Sequence, residues 1–156
     1  MEDPVAAPLR LCVRRTDPAP GVAASVTLHM PADVRCVEEA VELMVRHCFA
    51  GAEPCNRTRF RLRVLLAEAI SNSILFGAGG DPGRRVRVGA ELTEETIRLQ
   101  VTDDGPGFDP REVPDPTLPD GLARSIGRGL FLIRSLADQV EFNAQGNTIW
   151  MTLPRS

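Results

Sequence analysis

The chain has 156 residues and a formal net charge of −3, with 25% of its residues charged. This length fits one domain, 1–156, with a substantial core, and the weakly acidic balance argues against direct binding to nucleic acid or to an anionic membrane. All 18 basic residues are arginine, which excludes a P-loop, because that motif needs a lysine on the phosphates.

The sequence carries no sign of export or of a structural metal site. No apolar run has the length of a membrane span, and the first residues, MEDPVAAPLR, lack the basic and then apolar pattern of a signal peptide. The four cysteines show no CxxC spacing, which favours reduced thiols over a zinc site. We therefore expect a cytoplasmic protein.

The first half of the chain predicts a hairpin followed by a helix. Residues 9–13 and 22–30 alternate between apolar and polar, as half-buried strands do. From Pro31 the apolar spacing changes to three and four, which predicts a helix that ends before Gly51. Its apolar stripe comprises Val34, Val37, Val41, Met44, Val45 and Cys48. Such a stripe packs into a core or forms a partner or homodimer surface, and the sequence leaves both alternatives open.

A second helix, predicted over 57–77, carries Glu68 and Asn72 four residues apart. That spacing is about one helical turn, so both side chains point the same way. Solvated polar residues are the ordinary interpretation of such a pair. Their place in an apolar run favours a site instead, because Asn is a poor helix former whose amide needs partners. A carboxylate and an amide there offer oxygen ligands to Mg²⁺ and a general base to a hydroxyl or a water.

Two antiparallel strands are predicted over 84–90 and 96–101, and the second leads into Asp103-Asp104-Gly105-Pro106-Gly107. This sequence is typical of a turn. Alternatively, Asp103 accepts a hydrogen bond from a ligand amine while the glycines let the backbone approach the ligand ring.

Residues 109–125 are rich in proline and show almost no periodicity, which predicts a long surface loop of the kind that often serves as a lid. Gly127-Arg128-Gly129 follows and is predicted to open a short helix. The glycines serve either as a hinge or as a phosphate cradle, in which helix-terminal amides point at anionic oxygens. Residues 140–143 and 148–153 predict a closing hairpin.

The order of these blocks resembles the Bergerat-type ATP-binding fold of the GHKL superfamily, over residues 31–153. A helical ExxxN is followed by DxGxG at a strand exit, a proline-rich loop, GxGL before a helix, and GxT before the last strand. The closest resemblance is to the anti-sigma-factor serine kinases of the RsbW and SpoIIAB type. One departure is that Phe76 occupies the place where this family often has a histidine.

The resemblance implies an α+β fold, a two-layer α/β sandwich in which a mainly antiparallel sheet is covered by helices on one face. It implies ATP and Mg²⁺ as cofactors, with Glu68 as the general base, Asn72 as the metal ligand and Asp103 as the partner of the adenine amino group. The other implied nucleotide-binding residues are Gly105 and Gly107 at the base, Thr148 supporting Asp103, and Gly127, Arg128, Gly129 and Leu130 at the phosphates.

The implied function is that of a protein serine kinase. It would phosphorylate an anti-anti-sigma partner of the STAS type and sequester a sigma factor. Two alternatives remain: a nucleotide-binding switch that does not turn over, and the ATPase module of a histidine kinase. The second is disfavoured because no phosphoacceptor helix pair is present in the sequence.

Overall fold

The computed structural model describes residues 12–16, 24–49, 55–77, 81, 83–106 and 121–155, which form one sheet and a layer of helices. The strands are β1 (Cys12–Thr16), β2 (Ala24–Pro31), β3 (Arg85–Leu92), β4 (Thr96–Asp103), β5 (Gln139–Phe142) and β6 (Thr148–Pro154). The helices are α1 (Val37–Cys48), α2 (Asn56–Asn72) and α3 (Gly121–Leu136). No helix within these ranges has the length and apolar character that a membrane span requires.

The sheet has six strands in the order β1-β2-β3-β4-β6-β5, and each described pairing is antiparallel. The predicted hairpins β3–β4 and β5–β6 are therefore confirmed. The first predicted hairpin forms between β1 and β2, but β1 is Cys12–Thr16 where 9–13 was predicted, and residues 9–11 lie outside the described residues. After β4 the chain passes through α3 and returns to the sheet as β5, which is the edge strand. Strand β6 then pairs between β4 and β5.

Alternation along the strands determines which face of the sheet the helices cover. In β3 and β4 every second residue is buried, and successive side chains of a strand point to opposite faces. The buried side chains of β2, β3, β4 and β6 join those of the three helices in one hydrophobic core. The predicted fold class, an α+β sandwich with helices on one face, is confirmed.

The other face of the sheet is polar and carries no helix of the described chain. Arg98 lies over the ring of Trp150 at 5.7 Å from its centroid, a distance at which cation–π attraction operates. The guanidinium also lies 3.8 Å from the carboxylate of Glu141. These contacts cross three adjacent strands and tie β4, β6 and β5 together on the open side.

Helix α1 begins later than predicted. Pro31 is the last residue of β2, and a 3-10 turn, Val34–Cys36, precedes Val37. Asp33 caps this turn by accepting a hydrogen bond from the backbone N–H of Arg35 at 2.9 Å. Of the predicted apolar stripe, Val41, Met44, Val45 and Cys48 are buried in the core, Val37 is half-buried and Val34 is 52% exposed. The core alternative therefore describes the stripe from Val41 onwards.

Helix α2 ends at Asn72 and continues as a wider π-helical turn, Ser73–Gly77. The backbone N–H of Ser73 lies within reach of two carbonyls, those of Ala69 and Ile70. Single π turns of this kind are rare and are often found at functional sites. The predicted helix over 57–77 is confirmed, with this change of geometry in its last turn.

The prediction that Gly127–Gly129 opens a helix is wrong. Helix α3 already begins at Gly121, inside the segment predicted as a loop, so these glycines lie in the middle of the helix. They are tolerated there because α3 packs closely on α2. A Cβ built on Gly129 would lie 2.9 Å from Oε2 of Glu68 and 3.0 Å from Nδ2 of Asn72, so a side chain there would force these two groups to shift. The remainder of the predicted loop, 109–120, lies outside the described residues.

Arg61 fixes the end of α3 against the start of α2. Its Nε and one terminal nitrogen both donate to the carbonyl of Leu136, the last residue of α3, with the Nε bond at 2.8 Å. The same group contacts Asp138 at 3.2 Å. A carbonyl at a helix C-terminus has no partner within the helix, and a cation there also opposes the helix dipole favourably.

We predict that Arg61→Ala lowers the free energy of unfolding by about 1.5–3 kcal/mol, the range for hydrogen bonds to charged groups. Urea denaturation measures this change. Arg63→Ala is the matched control, because Arg63 pairs with Glu42 on the exposed side of the same helix and such surface pairs contribute about 0–1 kcal/mol. Equal losses in the two variants would contradict a special role for Arg61.

Candidate functional site

Buried polar side chains converge on one pocket beneath the helices. The described chain buries five polar or charged residues, and four of them, Asn72, Ser73, Asp103 and Thr148, line this pocket. Its interior measures about 20 Å³, roughly the room for one water, and it opens to solvent. Its apolar wall consists of Ala69, Val101, Leu130, Ile133, Phe142 and Ile149. An apolar cleft with a few converging polar groups is the usual form of a small-molecule site.

Asn72 enters the pocket from the end of α2. Its side chain is buried, and its Nδ2 has no hydrogen-bond partner within the described part of the chain. A buried amide without a partner is costly, so its presence indicates a group that a ligand completes. Glu68, one turn earlier, is half-buried. Its carboxylate and the amide of Asn72 both lie against Gly129 of α3. The predicted shared orientation of Glu68 and Asn72 is what the structure shows.

Asp103 enters from the opposite wall as the last residue of β4, and it is 4% exposed. Its Oδ1 accepts a hydrogen bond from the backbone N–H of Gly105 at 2.8 Å. Burial raises the pKa of this carboxyl, the bond from Gly105 lowers it less strongly, and the negative charge of Asp104 adds a smaller increase. A carboxylate held in an apolar wall in this way is suited to accept hydrogen bonds from a ligand.

The residue before β6, Asn147, is hydrogen-bonded to the segment that contains Asp103. The N–H of Asp103 donates to the carbonyl of Asn147 at 3.0 Å, and Nδ2 of Asn147 reaches the carbonyl of Gly105 at 3.4 Å. The hydroxyl of Thr148 shares a hydrogen bond with the hydroxyl of Thr102 at 3.0 Å. Thr148 lines the pocket but makes no hydrogen bond to Asp103 among those described. The residue that accepts a hydrogen bond from the backbone of Asp103 is Asn147.

The predicted phosphate residues lie along α3. Leu130 lines the pocket, Gly127 and Gly129 are buried, and Arg128 is exposed. Gly107, predicted at the base, lies outside the described residues. The structure thus brings together Glu68, Asn72, Asp103, Gly105, Gly129, Leu130 and Thr148, and it directs Arg128 to the surface.

Sequence reasoning missed several pocket residues. Ser73 follows Asn72 directly, and its buried side chain lines the pocket. Asn147 and Gly146 belong to the predicted turn before β6, and Gly146 has a positive φ of 73° that favours glycine. Phe142, at the end of β5, lines the pocket from a strand that the sequence predicted only as part of the closing hairpin.

We predict that Asp103→Asn raises the free energy of unfolding at pH 7. The folded pKa of Asp103 lies above its unfolded value, so its contribution to stability is fully present below the unfolded pKa of about 3.9 and is lost as the pH rises through the folded pKa. Asparagine removes the buried charge and keeps an acceptor for Gly105. Urea denaturation should show the gain at pH 7 and its decline as the pH falls towards 4.

Asp104→Asn is the control for that experiment, since Asp104 is the exposed neighbour and its Oδ1 accepts a bond from the N–H of Arg85 at 3.1 Å. The Asp104→Asn variant measures the effect on stability of removing one exposed carboxylate beside Asp103. A gain that is equal in both variants, or that is independent of pH, would refute the burial cost assigned to Asp103.

Comparison with known proteins agrees with this geometry. Residues 30–153 match the histidine kinase-like ATPase domain family. The serine-protein kinase RsbW of Oceanobacillus iheyensis is 30% identical over 90 residues, which cover 54% of this chain and 57% of that protein. The anti-sigma F factor of Bacillus cytotoxicus is 28% identical over 121 residues, which cover 74% of this chain and 82% of that protein. The RsbW of Listeria innocua is 30% identical over 101 residues, or 62% of its length.

The matched region thus spans somewhat more than half of the RsbW relatives and most of the anti-sigma F factor. The match to the family profile covers the whole span from the end of β2 to β6 and includes each of the predicted site residues. The chain therefore belongs to the histidine kinase-like ATPase domain family, and within it resembles the serine-protein kinase RsbW and the anti-sigma F factor.

Proposed function

We propose that this protein is a cytoplasmic, ATP- and Mg²⁺-dependent serine kinase that phosphorylates an anti-anti-sigma protein of the STAS type and sequesters a sigma factor. The observation that carries the proposal is the convergence of Asn72, Ser73, Asp103 and Thr148 on one otherwise apolar pocket. The names of the relatives, serine-protein kinase and anti-sigma F factor, give the class of activity and of partner. We also propose that residues 1–156 form a single domain.

We assign the adenine ring to this pocket from the chemistry of its lining, a carboxylate facing apolar side chains, and the pocket, whose interior measures about 20 Å³, would have to widen to admit the ring. Asp103 would accept a hydrogen bond from the exocyclic amine, since its carboxylate is already oriented by the N–H of Gly105. The apolar side chains would cover the faces of the ring and exclude water. Thr148 is proposed at the base because it lines the pocket. Gly107 is proposed there from the sequence motif alone, since it lies outside the described residues.

Asn72 is proposed as a metal ligand through its amide oxygen, while its buried Nδ2, which has no hydrogen-bond partner among the described residues, would donate to a phosphate or water oxygen. Its oxygen would provide one protein ligand, and Mg²⁺ commonly completes its shell with phosphate oxygens and water. Bound Mg²⁺ would supply neutralisation of the phosphate charge. The chain has no lysine, so the remaining positive charge near the phosphates would come from arginine.

Residues Gly127, Arg128, Gly129 and Leu130 are proposed at the phosphates. Within α3 their amides are bonded to carbonyls four residues earlier, as in any helix interior. Free amides would become available only if the turns of α3 before Leu130 unwind. Unwinding would also separate Gly129 from Glu68 and Asn72 and so open the end of the pocket where both polar side chains meet.

Glu68 is proposed as the general base that takes the proton of the acceptor serine. It lies one turn from Asn72 at the rim of the site, and its Oε2 points towards Gly129. A base at this place would act on a hydroxyl that a partner protein inserts from outside. Positioning of that hydroxyl and charge neutralisation would supply most of the acceleration.

Any homodimer would have to use surfaces other than Val41, Met44, Val45 and Cys48, since this part of the apolar stripe is buried in the core, whereas Val34 at its start is 52% exposed. A cytoplasmic location agrees with the free thiols of Cys36 and Cys55.

We predict that Glu68→Gln lowers the rate of phosphoryl transfer by about 10²–10⁴-fold, the usual contribution of a general base, and leaves ATP affinity unchanged. The measurement is the rate of phosphoserine formation on a STAS protein encoded beside this gene, followed by mass spectrometry, with ATP affinity from calorimetry. Unaltered transfer in the variant would remove Glu68 from the mechanism. ATP binding by the wild type without any transfer would favour a non-catalytic switch.

We predict that Asn72→Ala abolishes the dependence of ATP affinity on Mg²⁺. Calorimetric titration with ATP, in Mg²⁺ and again in EDTA, gives the ratio of the two dissociation constants. The ratio should fall to about one in the variant and stay at its wild-type value in Ser71→Ala, a control on the same helix at a half-exposed position. A wild-type ratio in Asn72→Ala would contradict the metal assignment.

A further inference from the structure

Gly77, the last residue of the π-helical turn, lies directly against Asp103. A Cβ built on Gly77 would have Oδ2, Cγ and Oδ1 of Asp103 as its three nearest atoms, all at distances where atoms overlap. Oδ2 occupies the space that a side chain at this position would need. The carboxylate can hold its observed place only because residue 77 has no side chain.

Gly105 completes the same contact from the other side. A Cβ on Gly105 would overlap the carbonyl of Gly77 and would lie 2.8 Å from Oδ1 of Asp103. The N–H of Gly105 donates to that oxygen at 2.8 Å. The carboxylate is therefore enclosed between a backbone donor and the bare Cα of Gly77, and the three residues fix one another's positions.

The requirement for glycine at these two positions is one of space. Among the described residues, only Gly146 has a positive φ of the kind that favours glycine. Any L-residue could therefore adopt the backbone conformations of Gly77 and Gly105. The nearest side-chain atoms to a new Cβ on Gly77 belong to a buried, hydrogen-bonded group. They differ from the flexible end of a surface side chain, which moves aside at little cost.

The π turn brings Gly77 to this place. Helix α2 has to present Asn72 to the pocket and then close over the end of β4, where Asp103 lies. A π turn holds more residues than an α turn, so the side chains that follow Asn72 are rotated relative to a continued α-helix. Ile74 is buried and Leu75 is 49% exposed in this arrangement, and Gly77 meets the carboxylate.

We propose that Gly77 is a positioning residue that sets the base specificity of the site by holding the Asp103 carboxylate in place. This inference rests on the proposed adenine-binding role of Asp103. Adenine presents an amine to that carboxylate, whereas guanine carries a carbonyl oxygen at the same ring position and would be repelled. A displaced carboxylate would lose this discrimination, and the pocket would treat the two bases more equally.

The test is the affinity of Gly77→Ala for Mg·ATP and Mg·GTP, measured by calorimetry on the full chain. The ATP dissociation constant should rise about 10- to 100-fold, as expected for loss of a hydrogen bond to a charged group, and the preference for ATP over GTP should shrink by a similar factor. Gly89→Ala is the matched control, because a Cβ there would meet its nearest atom, Cβ of Gln100, at an ordinary 3.8 Å on the open side of the sheet.

ATP binding by the wild type distinguishes an error in this inference from an error in the proposed function. If the wild type does not bind ATP, the proposed function is wrong. If the wild type binds ATP selectively and Gly77→Ala retains both its affinity and its selectivity, the positioning role is overturned. A uniform loss of affinity for ATP and GTP with unchanged selectivity also overturns it, since a merely structural defect has that effect.

A stability measurement covers the case in which Gly77→Ala fails to fold. The overlapping atoms all belong to the Asp103 carboxyl group, so the cost of Gly77→Ala should largely disappear when it is introduced into Asp103→Ala. Urea midpoints of the wild type, both single variants and the double variant test this. Additive shifts, or a double variant as unfolded as Gly77→Ala, would contradict the contact.

Discussion

The burial of the Asp103 carboxylate at the end of a central strand is the constraint on which this site depends. Removing a carboxylate from water is expensive unless the protein replaces the lost hydrogen bonds. One replacement comes from the N–H of Gly105, and the backbone of Asp103 is bonded to Asn147 at the start of the neighbouring strand. Gly77 leaves the volume that the second oxygen occupies. The turn that ends α2, the end of β4 and the residue before β6 are thereby held at a single residue, Asp103.

Much of the fold follows from local pattern. The sequence predicted β3 and β4, and every second residue of each is buried because only one side of the sheet is covered by helices. The helical spacing of Glu68 and Asn72 placed both on the side of α2 that faces α3. These features were predictable because each depends on the period of one element and on the burial of one of its faces.

The features that escaped prediction depend on contacts between elements. Glycines disfavour helix by about 1 kcal/mol each relative to alanine, so Gly127 and Gly129 indicated a helix boundary. In the structure Gly129 lies inside α3, where its lack of a side chain lets Glu68 and Asn72 approach. The π turn has no clear sequence signal. Gly77 looked like an ordinary helix stop, since nothing in the order of residues shows that a carboxylate 26 positions later would fill its side-chain space.

The position of Trp150 has a practical consequence for anyone who follows this protein by optical spectroscopy. It is the chain's only tryptophan, and the chain has no tyrosine. Its indole lies under Arg98 on the uncovered face of the sheet, while its neighbours Ile149 and Met151 point into the core. Intrinsic fluorescence is therefore a reporter of the packing of β4, β5 and β6. An event confined to the pocket on the other face would have to distort the sheet before this chromophore registered it.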